Sequence, residues 1–259
     1  MRFSDPSELA EWLTPHSIKW YEQLSEIEGV YKYPWHSLIM EPNGEIIFDE
    51  EAVRLAAGKK VLDAGCGPGD FTFQCGRQAK EIVGFDVTAR FIENAQKKAP
   101  SNIRFVVGNA KQGLPFKTGE FDVAYNRKGP TSAYPELLRV VKKGGEILGL
   151  HPGDGSGKEL PELFPGLFKE SKGTPIADHL QRGLSALPFS ECAFEEVTST
   201  EYLEAPLDVI KYRCFGQAEE VFNKAAEENL SELEQIFRAH ATEKGLAISY
   251  SRYLIRAKV

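Results

Sequence analysis

Three glycines at alternate positions stand between an apolar strand pattern and a helical pattern, and this feature constrains the fold more than any other. The apolar run 59–64 leads into Gly65-Cys66-Gly67-Pro68-Gly69, and the helical pattern starts at Asp70. Glycine is needed where a backbone turns tightly and where a ligand lies against main-chain amides. The pattern therefore predicts a strand, a tight turn and a helix, with a ligand at the turn.

Apolar strands alternate with helical stretches between residues 59 and 151. The predicted strands are 59–64, 81–86, 103–107, 120–126 and 144–151, and the predicted helices are 70–79, 88–98 and 131–142. Such an alternation forms a parallel sheet covered on both faces, and right-handed crossovers place all strand carboxyl ends at one edge. Ligands bind at that edge, where the strand order reverses.

A second carboxylate is placed to bind a nucleoside. Asp86 ends the run 81–86 and follows Gly65 by about the twenty residues expected for an acid that binds ribose hydroxyls. Dinucleotide-binding proteins use G-x-G-x-x-G and hold a pyrophosphate at the helix N-terminus. Here the spacing is G-x-G-x-G, and the carboxylate of Asp70 would repel a pyrophosphate. S-adenosylmethionine, which carries a sulfonium and an ammonium group, suits this pattern, and NAD is the alternative cofactor.

The set Asp63, Gly65, Gly67 and Gly69 resembles motif I of the class I S-adenosylmethionine-dependent methyltransferases, an acid-x-Gly-x-Gly-x-Gly pattern that ends the first strand. The resemblance implies an α/β fold. Its sheet is Rossmann-like, mostly parallel and seven-stranded, with helices on both faces, an antiparallel C-terminal strand and helical lid segments. It also implies S-adenosyl-L-methionine as cofactor and methyl transfer as the activity.

The resemblance assigns further residues to the cofactor site. Asn109 and Ala110 correspond to motif II, where the Asn109 carbonyl can accept a hydrogen bond from the adenine amino group; a turn-forming role is the alternative. Asn126 lies at the end of the fourth strand of the alternation, where it can contact the methionine part of the cofactor. The full predicted cofactor set is Asp63, Gly65, Cys66, Gly67, Gly69, Asp86, Val87, Asn109, Ala110 and Asn126.

Methyl transfer from a sulfonium is an in-line displacement, so the enzyme mainly aligns the acceptor, the methyl carbon and the sulfur. A base is needed only when the acceptor must lose a proton. The candidate catalytic residues are His151, His36 and Arg127. The alternative for each histidine is a structural role, and the alternative for Arg127 is a surface cation at a strand end.

Two domains are predicted: a helical and aromatic lid at 1–48, and a methyltransferase domain at 49–259 with helical insertions near 155–190 and 205–243. Pro15 is expected to divide 5–27 into two helices. Gly144-Gly145 predicts a helix C-cap before a strand. Other predicted elements are an aromatic, turn-rich segment at 29–44, helices at 158–171, 176–187 and 217–240, and strands at 193–203 and 247–257.

The formal net charge is −7, from 31 Lys and Arg against 38 Asp and Glu. Proteins that bind nucleic acid usually present a basic face. The excess of acidic residues therefore favours a small-molecule acceptor but leaves rRNA or tRNA open as a partner. The third hypothesis is a non-catalytic S-adenosylmethionine-binding protein.

Four scattered cysteines without a C-x-x-C pair predict neither a metal site nor a disulfide framework. No run is long enough to span a membrane, and the first residues do not resemble a signal peptide. These observations predict a cytoplasmic protein without a membrane partner.

Overall fold

The computed structural model describes residues 3–27 and 31–259. Within them the helices are α1 Ile18–Ile27, α2 Gly44–Ala56, α3 Asp70–Gly76, α4 Ala89–Gln96, α5 Tyr134–Val140, α6 Leu160–Leu163, α7 Pro175–Ser185, α8 Pro206–Arg213 and α9 Glu219–His240. The strands are β1 Ser37–Ile39, β2 Lys60–Ala64, β3 Glu81–Asp86, β4 Ile103–Val107, β5 Phe121–Arg127, β6 Val141–Pro152, β7 Glu191–Leu203 and β8 Leu246–Lys258. Residues 1–2 and 28–30, which belong to the predicted lid, lie outside the described residues.

The strands hydrogen-bond in the order β1-β7-β8-β6-β5-β2-β3-β4. Strands β4, β3, β2, β5 and β6 are parallel, whereas β8 is antiparallel to β6. Because β2 lies between β3 and β5, the strand order reverses there, and the carboxyl ends of the parallel strands share one edge. The predicted mostly parallel sheet with an antiparallel C-terminal strand is confirmed, with eight strands among the described residues instead of seven.

The chain forms two compact units, and one of them contains the parallel strands. This unit comprises Pro42–Gly153, Thr174–Val197 and Arg252–Val259. Alternate residues of β2 enter two apolar clusters: Leu62 packs with side chains of α5 and α7, and Val61 packs with side chains of α2, α3 and α4. Helices therefore cover both faces of the parallel strands, as predicted.

The other unit comprises Met1–Glu41, Asp154–Gly173 and Thr198–Ser251, and it has its own apolar core. That core contains Leu203, Val209, Leu233, Phe237 and Leu246, among others. The additional strand β1 lies in this unit and pairs antiparallel with β7. It falls inside the segment predicted as turn-rich, because three residues are too few to show a period of two. The lid roles predicted for 1–48 and for the two insertions remain predictions.

The N-terminal segment contains one helix, α1, instead of the predicted two. Before it the structure has only a 3₁₀ turn, Pro6–Glu8. The Gln217 side chain bonds both backbone groups of Leu13, its Oε1 accepting from the amide at 3.0 Å and its Nε2 donating to the carbonyl at 2.8 Å. His16 has a φ of +65°, which a helix cannot accommodate. A distant side chain thus replaces the helical hydrogen bonds that the apolar pattern predicts.

Two other predicted helices are shorter than expected. The helix α5 ends at Val140, and β6 begins at Val141, so Gly144 is part of a strand and not of a helix C-cap. Its φ of +77° accommodates an irregularity where β6 pairs with β5. The predicted helix 158–171 is reduced to α6, because Pro165 cannot donate the next helical hydrogen bond.

None of the helices formed by residues 3–27 and 31–259 combines the length and the apolar character needed to cross a membrane.

Candidate functional site

The turn after β2 places all three of its glycines in the left-handed region of backbone space. The φ angles are +87° at Gly65, +53° at Gly67 and +87° at Gly69. Residues that carry a side chain rarely adopt this backbone conformation, which explains why glycine stands at each position. The Gly69 amide donates to the Cys66 carbonyl at 3.0 Å and closes the turn before α3 begins.

The surroundings of the three glycines differ. A Cβ atom built on Gly65 would lie 2.7 Å from the Cα of Gly129, and one on Gly69 would lie 2.7 Å from the Phe105 ring. At Gly67 no heavy atom of the described chain would lie within 4 Å. The first and third glycines are therefore required by packing, whereas the middle glycine presents bare backbone to open space.

Asp86 ties the end of β3 to this turn. Its Oδ2 accepts the Gly67 amide at 2.9 Å, and its Oδ1 accepts the Thr88 amide at 2.8 Å. Burial raises the pKa of the Asp86 carboxyl, while these backbone donors oppose the shift. The Thr88 side chain and the Val87 amide are further donors to this carboxyl, so the end of β3 is fixed to the turn by several hydrogen bonds.

Asp63 is buried beneath the turn and holds the strand end to neighbouring elements. Its Oδ2 accepts the hydroxyls of Thr72 at 2.6 Å and of Tyr125 at 3.0 Å. Its Oδ1 is buried and has no hydrogen-bond partner among the described residues. Burial raises the pKa of Asp63 to about 7, against the opposing effects of Thr72 and Tyr125.

Two further residues of the predicted cofactor set lie within the turn and directly after β3. Cys66 is half-buried, and its thiol lies 3.7 Å from the Gly67 carbonyl oxygen. Burial raises the pKa of the Cys66 thiol, so it is not a thiolate nucleophile at neutral pH. Val87 directly follows β3 and is 37% exposed, a large fraction for an apolar side chain.

The predicted motif II residues form a tight turn at the end of β4. Asn109 precedes a 3₁₀ turn, and its Oδ1 accepts the Lys111 amide at 3.0 Å. Ala110 is buried. The amide of Gly108 donates to the backbone carbonyl of Asp86 at 2.9 Å, which places this turn beside the end of β3.

Asn126 and Arg127 end β5 and point to different partners. Asn126 is fully buried, and its Nδ2 donates to the Pro130 carbonyl at 2.9 Å. Its Oδ1 is buried without a partner among the described residues. Arg127 donates from Nε and Nη2 to the two carboxylate oxygens of Asp49 at 2.7 and 2.9 Å, and from Nη2 to Glu45 at 3.1 Å.

His151 lies near the end of β6 in the same unit as the glycine turn. Its Nε2 is 2.8 Å from the hydroxyl of Tyr134, and both side chains are buried. Burial lowers the pKa of His151 to about 4, and His179 adds to this effect. The imidazole is therefore neutral at physiological pH.

His36 belongs to the other compact unit. Its backbone amide donates to the Asp208 carboxylate at 3.1 Å, and its ring Nδ1 lies 3.7 Å from the same oxygen. Its side chain is 74% exposed.

Strand register brings several predicted site residues to one edge of the parallel strands. Asp63 pairs with Tyr125, Asp86 with Val107, and Arg127 with Leu150. The glycine turn, Asp86, Asn109, Asn126, Arg127 and His151 therefore all lie at or next to strand carboxyl ends, where open α/β sheets bind ligands.

Comparisons with known proteins are consistent with this architecture. A family model described as a methyltransferase domain matches residues 61–145. The demethylmenaquinone methyltransferase of Lactococcus lactis subsp. lactis is 32% identical over 142 residues, which cover 49% of this chain and 52% of that protein. An uncharacterized methyltransferase of Synechocystis is 28% identical over 204 residues, covering 71% of this chain and 93% of that protein. Residues 61–145 therefore match a methyltransferase domain, and the comparisons support a class I S-adenosylmethionine-dependent methyltransferase.

The fold of the chain also occurs among solved structures. A functionally unknown protein from Deinococcus radiodurans R1 aligns with a TM-score of 0.64 at 22% identity, over 93% of this chain and 97% of that one. The chain spans about half the length of its Lactococcus relative. The cofactor of the family is S-adenosyl-L-methionine.

The sequence pattern missed the residues that support the methyltransferase site from outside the motifs. Thr72 and Tyr125 satisfy Asp63, Gly129 packs on Gly65, and Glu45 with Asp49 binds Arg127. Of these, Thr72 had a local signal, since it lies on the first turns of the helix after the glycines. The others depend on tertiary contacts between distant segments, which no local pattern reveals.

Proposed function

We propose that this methyltransferase transfers the methyl group of S-adenosylmethionine to a small-molecule acceptor, and that the glycine turn and Asp86 hold the donor. One observation carries the proposal: the bare backbone of Gly67 faces open space directly beside the Asp86 carboxylate, which binds the Gly67 amide at 2.9 Å. A ligand can approach the backbone closely at such a position.

The polar groups at this edge fit a nucleoside. The Asp86 carboxylate lies beside the open backbone of Gly67, where we propose that it meets the ribose hydroxyls, and the exposed Val87 side chain offers an apolar surface for a base. Asn109 and the Ala110 amide follow the neighbouring strand and are proposed to meet the adenine edge. The turn itself is shaped by Gly65, Cys66 and Gly69, and Asp63 supports it from below. Asn126 shapes the adjoining end of β5.

When bound, the donor supplies an electrophilic methyl group on a positively charged sulfur. The side chains of the protein bind and orient the donor and the acceptor, and they exclude water. This alignment is the main requirement for an in-line displacement. His151 is the candidate base of the unit with the glycine turn, but a group with a pKa of about 4 accepts a proton weakly. We therefore propose an acceptor whose attacking atom is nucleophilic without help from a strong base.

The candidate roles of Arg127 and His36 are different. Arg127 carries a permanent positive charge that Asp49 and Glu45 hold in place, so we propose that it positions its neighbours and does not transfer a proton. His36 is exposed, and we propose it as a candidate catalytic residue that mutagenesis and an activity assay can test.

Two observations support a small-molecule acceptor. The chain has a formal net charge of −7, which opposes the approach of a polyphosphate. The Lactococcus relative is named for a demethylmenaquinone substrate, which is not a nucleic acid.

The four cysteines are free thiols, which supports the proposed cytoplasmic location.

The proposal is tested by incubating the protein with S-adenosylmethionine carrying a radiolabelled methyl group, together with a metabolite extract or with purified rRNA and tRNA. We expect label in the small-molecule fraction. Label in the RNA fraction would replace the small-molecule acceptor by a nucleic acid, and binding of the donor without transfer to any fraction would favour the non-catalytic hypothesis.

A further inference from the structure

Five charged side chains from four parts of one compact unit meet at the carboxyl end of β5. Glu45 and Asp49 come from α2, Arg127 ends β5, Lys128 follows it, and Arg252 belongs to β8. We call this group the α2–β5 charge cluster. Three cations face two carboxylates, and most of the five side chains are largely shielded from water.

Glu45 is the centre of the cluster. Its carboxylate is 3.1 Å from Arg127 Nη2, 3.1 Å from Lys128 Nζ and 3.0 Å from Arg252 Nη2. Its side chain is 18% exposed, and those of Lys128 and Arg252 are 13% and 9% exposed. Ion pairs that are shielded to this degree are screened less by water and salt than pairs on the surface.

The first turn of α2 is fixed in place, so Glu45 is presented rigidly. Asn43 caps the helix, and its Oδ1 accepts the amides of Glu45 at 3.1 Å and Ile46 at 3.2 Å. A Cβ atom built on Gly44 would lie 2.6 Å from the Cβ of Arg252, so this turn packs directly against β8. A side chain on such a support can hold a neighbouring segment in one position.

The residue that Glu45 binds most symmetrically has a strained backbone. Lys128 Nζ donates to both Glu45 oxygens at 3.1 Å, and the φ angle of Lys128 is +61°. This left-handed conformation is unfavourable for a lysine and persists only where its surroundings enforce it. The Lys128 amide also donates to the Leu150 carbonyl at 2.8 Å, so both ends of the residue are held.

The segment 128–130, which we call the strap, lies against the glycine turn. A Cβ atom built on Gly65 would lie 2.7 Å from Gly129 Cα and 2.8 Å from Pro130 Cδ. One built on Gly129 would lie 2.5 Å from the Ala64 carbonyl oxygen. Asn126 closes the strap by donating to the Pro130 carbonyl at 2.9 Å. The backbone of the strap and that of the turn thus touch without an intervening side chain.

From these contacts we infer that Glu45 is a positioning residue for the donor site, acting through Lys128 and the strap on the first glycine of the turn. The inference rests on the proposed function, because it assumes that the turn holds S-adenosylmethionine. A displacement of the strap is transmitted directly to Gly65, and displacements of about 1 Å at a binding constellation can cost up to about a hundredfold in function.

The test uses Glu45→Gln with Glu51→Gln as its matched control. Glu51 lies on the same helix and pairs with Arg256 of the same strand β8 at 2.8 Å, but among the described residues it forms no hydrogen bond or ion pair with the strap. Both substitutions remove one carboxylate charge that faces an arginine of β8. Binding of S-adenosylhomocysteine is measured by calorimetry, and exchange of the Lys128 and Gly129 amide hydrogens is measured without ligand.

We expect Glu45→Gln to weaken S-adenosylhomocysteine binding by about tenfold or more and to accelerate exchange at Lys128 and Gly129. Glu51→Gln is expected to change the affinity less than about twofold, because Glu51 pairs with Arg256 and not with Lys128 of the strap. Equal affinity and equal exchange in the two variants would overturn the positioning role, while binding by the wild type would leave the proposed function standing. Failure of the wild type to bind would instead overturn the proposed function and this inference with it.

A second variant keeps the inference testable if Glu45→Gln folds poorly. Lys128→Gly removes the same ion pair and relieves the left-handed strain, so its fold is not at risk from the backbone. We expect it to weaken binding as Glu45→Gln does, and the double variant to weaken binding no further, since both act through one contact. Additive effects, or unchanged binding in Lys128→Gly, would contradict transmission through the strap.

Discussion

The Asp86 carboxylate accepts the backbone amide of Gly67 at 2.9 Å, so the acid at the end of β3 and the open glycine of the turn form one unit. The acid predicted to bind a ribose therefore also fixes the backbone against which the donor is proposed to lie. A loss of Asp86 is therefore expected to remove the proposed ligand contact and to loosen the turn at the same time.

Asp86→Ala is expected to weaken binding of S-adenosylhomocysteine by about 1–3 kcal/mol, because hydrogen bonds to a carboxylate are lost. Asp86→Asn keeps one acceptor oxygen and should lose less. Titration calorimetry measures both, with Glu93→Ala on the exposed face of α4 as the control. An affinity for Asp86→Ala equal to that of the control would remove Asp86 from the binding site.

Substitutions at Gly67 and Gly65 are expected to separate binding from folding. Gly67→Val should abolish binding and cost about 1–2 kcal/mol of unfolding free energy, since the side chain enters open space but its backbone is left-handed. Gly65→Ala should destabilise the fold more, because its Cβ would collide with Gly129. Urea unfolding and calorimetry test the pair, and the reverse order of stabilities would contradict the packing described here.

The pH dependence of stability should report on Asp63. Its pKa is about 7 in the folded protein and 3.8 as the reference value, so between these pH values the folded state binds the proton more tightly than the unfolded state. Its contribution to stability therefore falls as pH rises from about 4 to about 7. This decline in the free energy of unfolding amounts to roughly 1–4 kcal/mol between these pH values, and Asp63→Asn should remove it. Parallel stability curves for the two proteins would argue against a raised pKa.

His151 should act in the opposite direction. Its pKa is about 4 in the folded protein against a reference value of 6.5, so the unfolded state binds the proton first as pH falls. Its contribution to stability is lost as pH falls from about 6.5 to about 4. His151→Gln should flatten the acid side of the stability curve measured by urea unfolding. An unchanged slope would mean that His151 is protonated in the folded protein.

The elements nearest the glycine turn were predictable because their signals are local. The strand β2, the turn and α3 form one contiguous run, and Asp86 follows at a spacing that the family shares. The short strand β1 and the irregular segment before α1 were not predictable. Their backbone groups are satisfied by β7 and by Gln217, far away in the chain.

The side-chain contacts that support the site were not predictable from the sequence for the same reason. Arg127 was predicted as a catalytic candidate from its place at a strand end, yet its partner Asp49 lies 78 residues away. The cofactor contact predicted for Asn126 stays a prediction, but the bond by which its amide closes the strap through Pro130 had no local signal. A motif identifies which residues reach a sheet edge, but the partners of their side chains follow only from packing.

A crystal structure of the protein with S-adenosylhomocysteine tests the central claim most directly. The account predicts that the nucleoside lies against the Gly67 backbone, with its ribose oxygens within hydrogen-bonding distance of the Asp86 carboxylate. Density for the ligand at another place in the protein, or none at a saturating concentration, would contradict it.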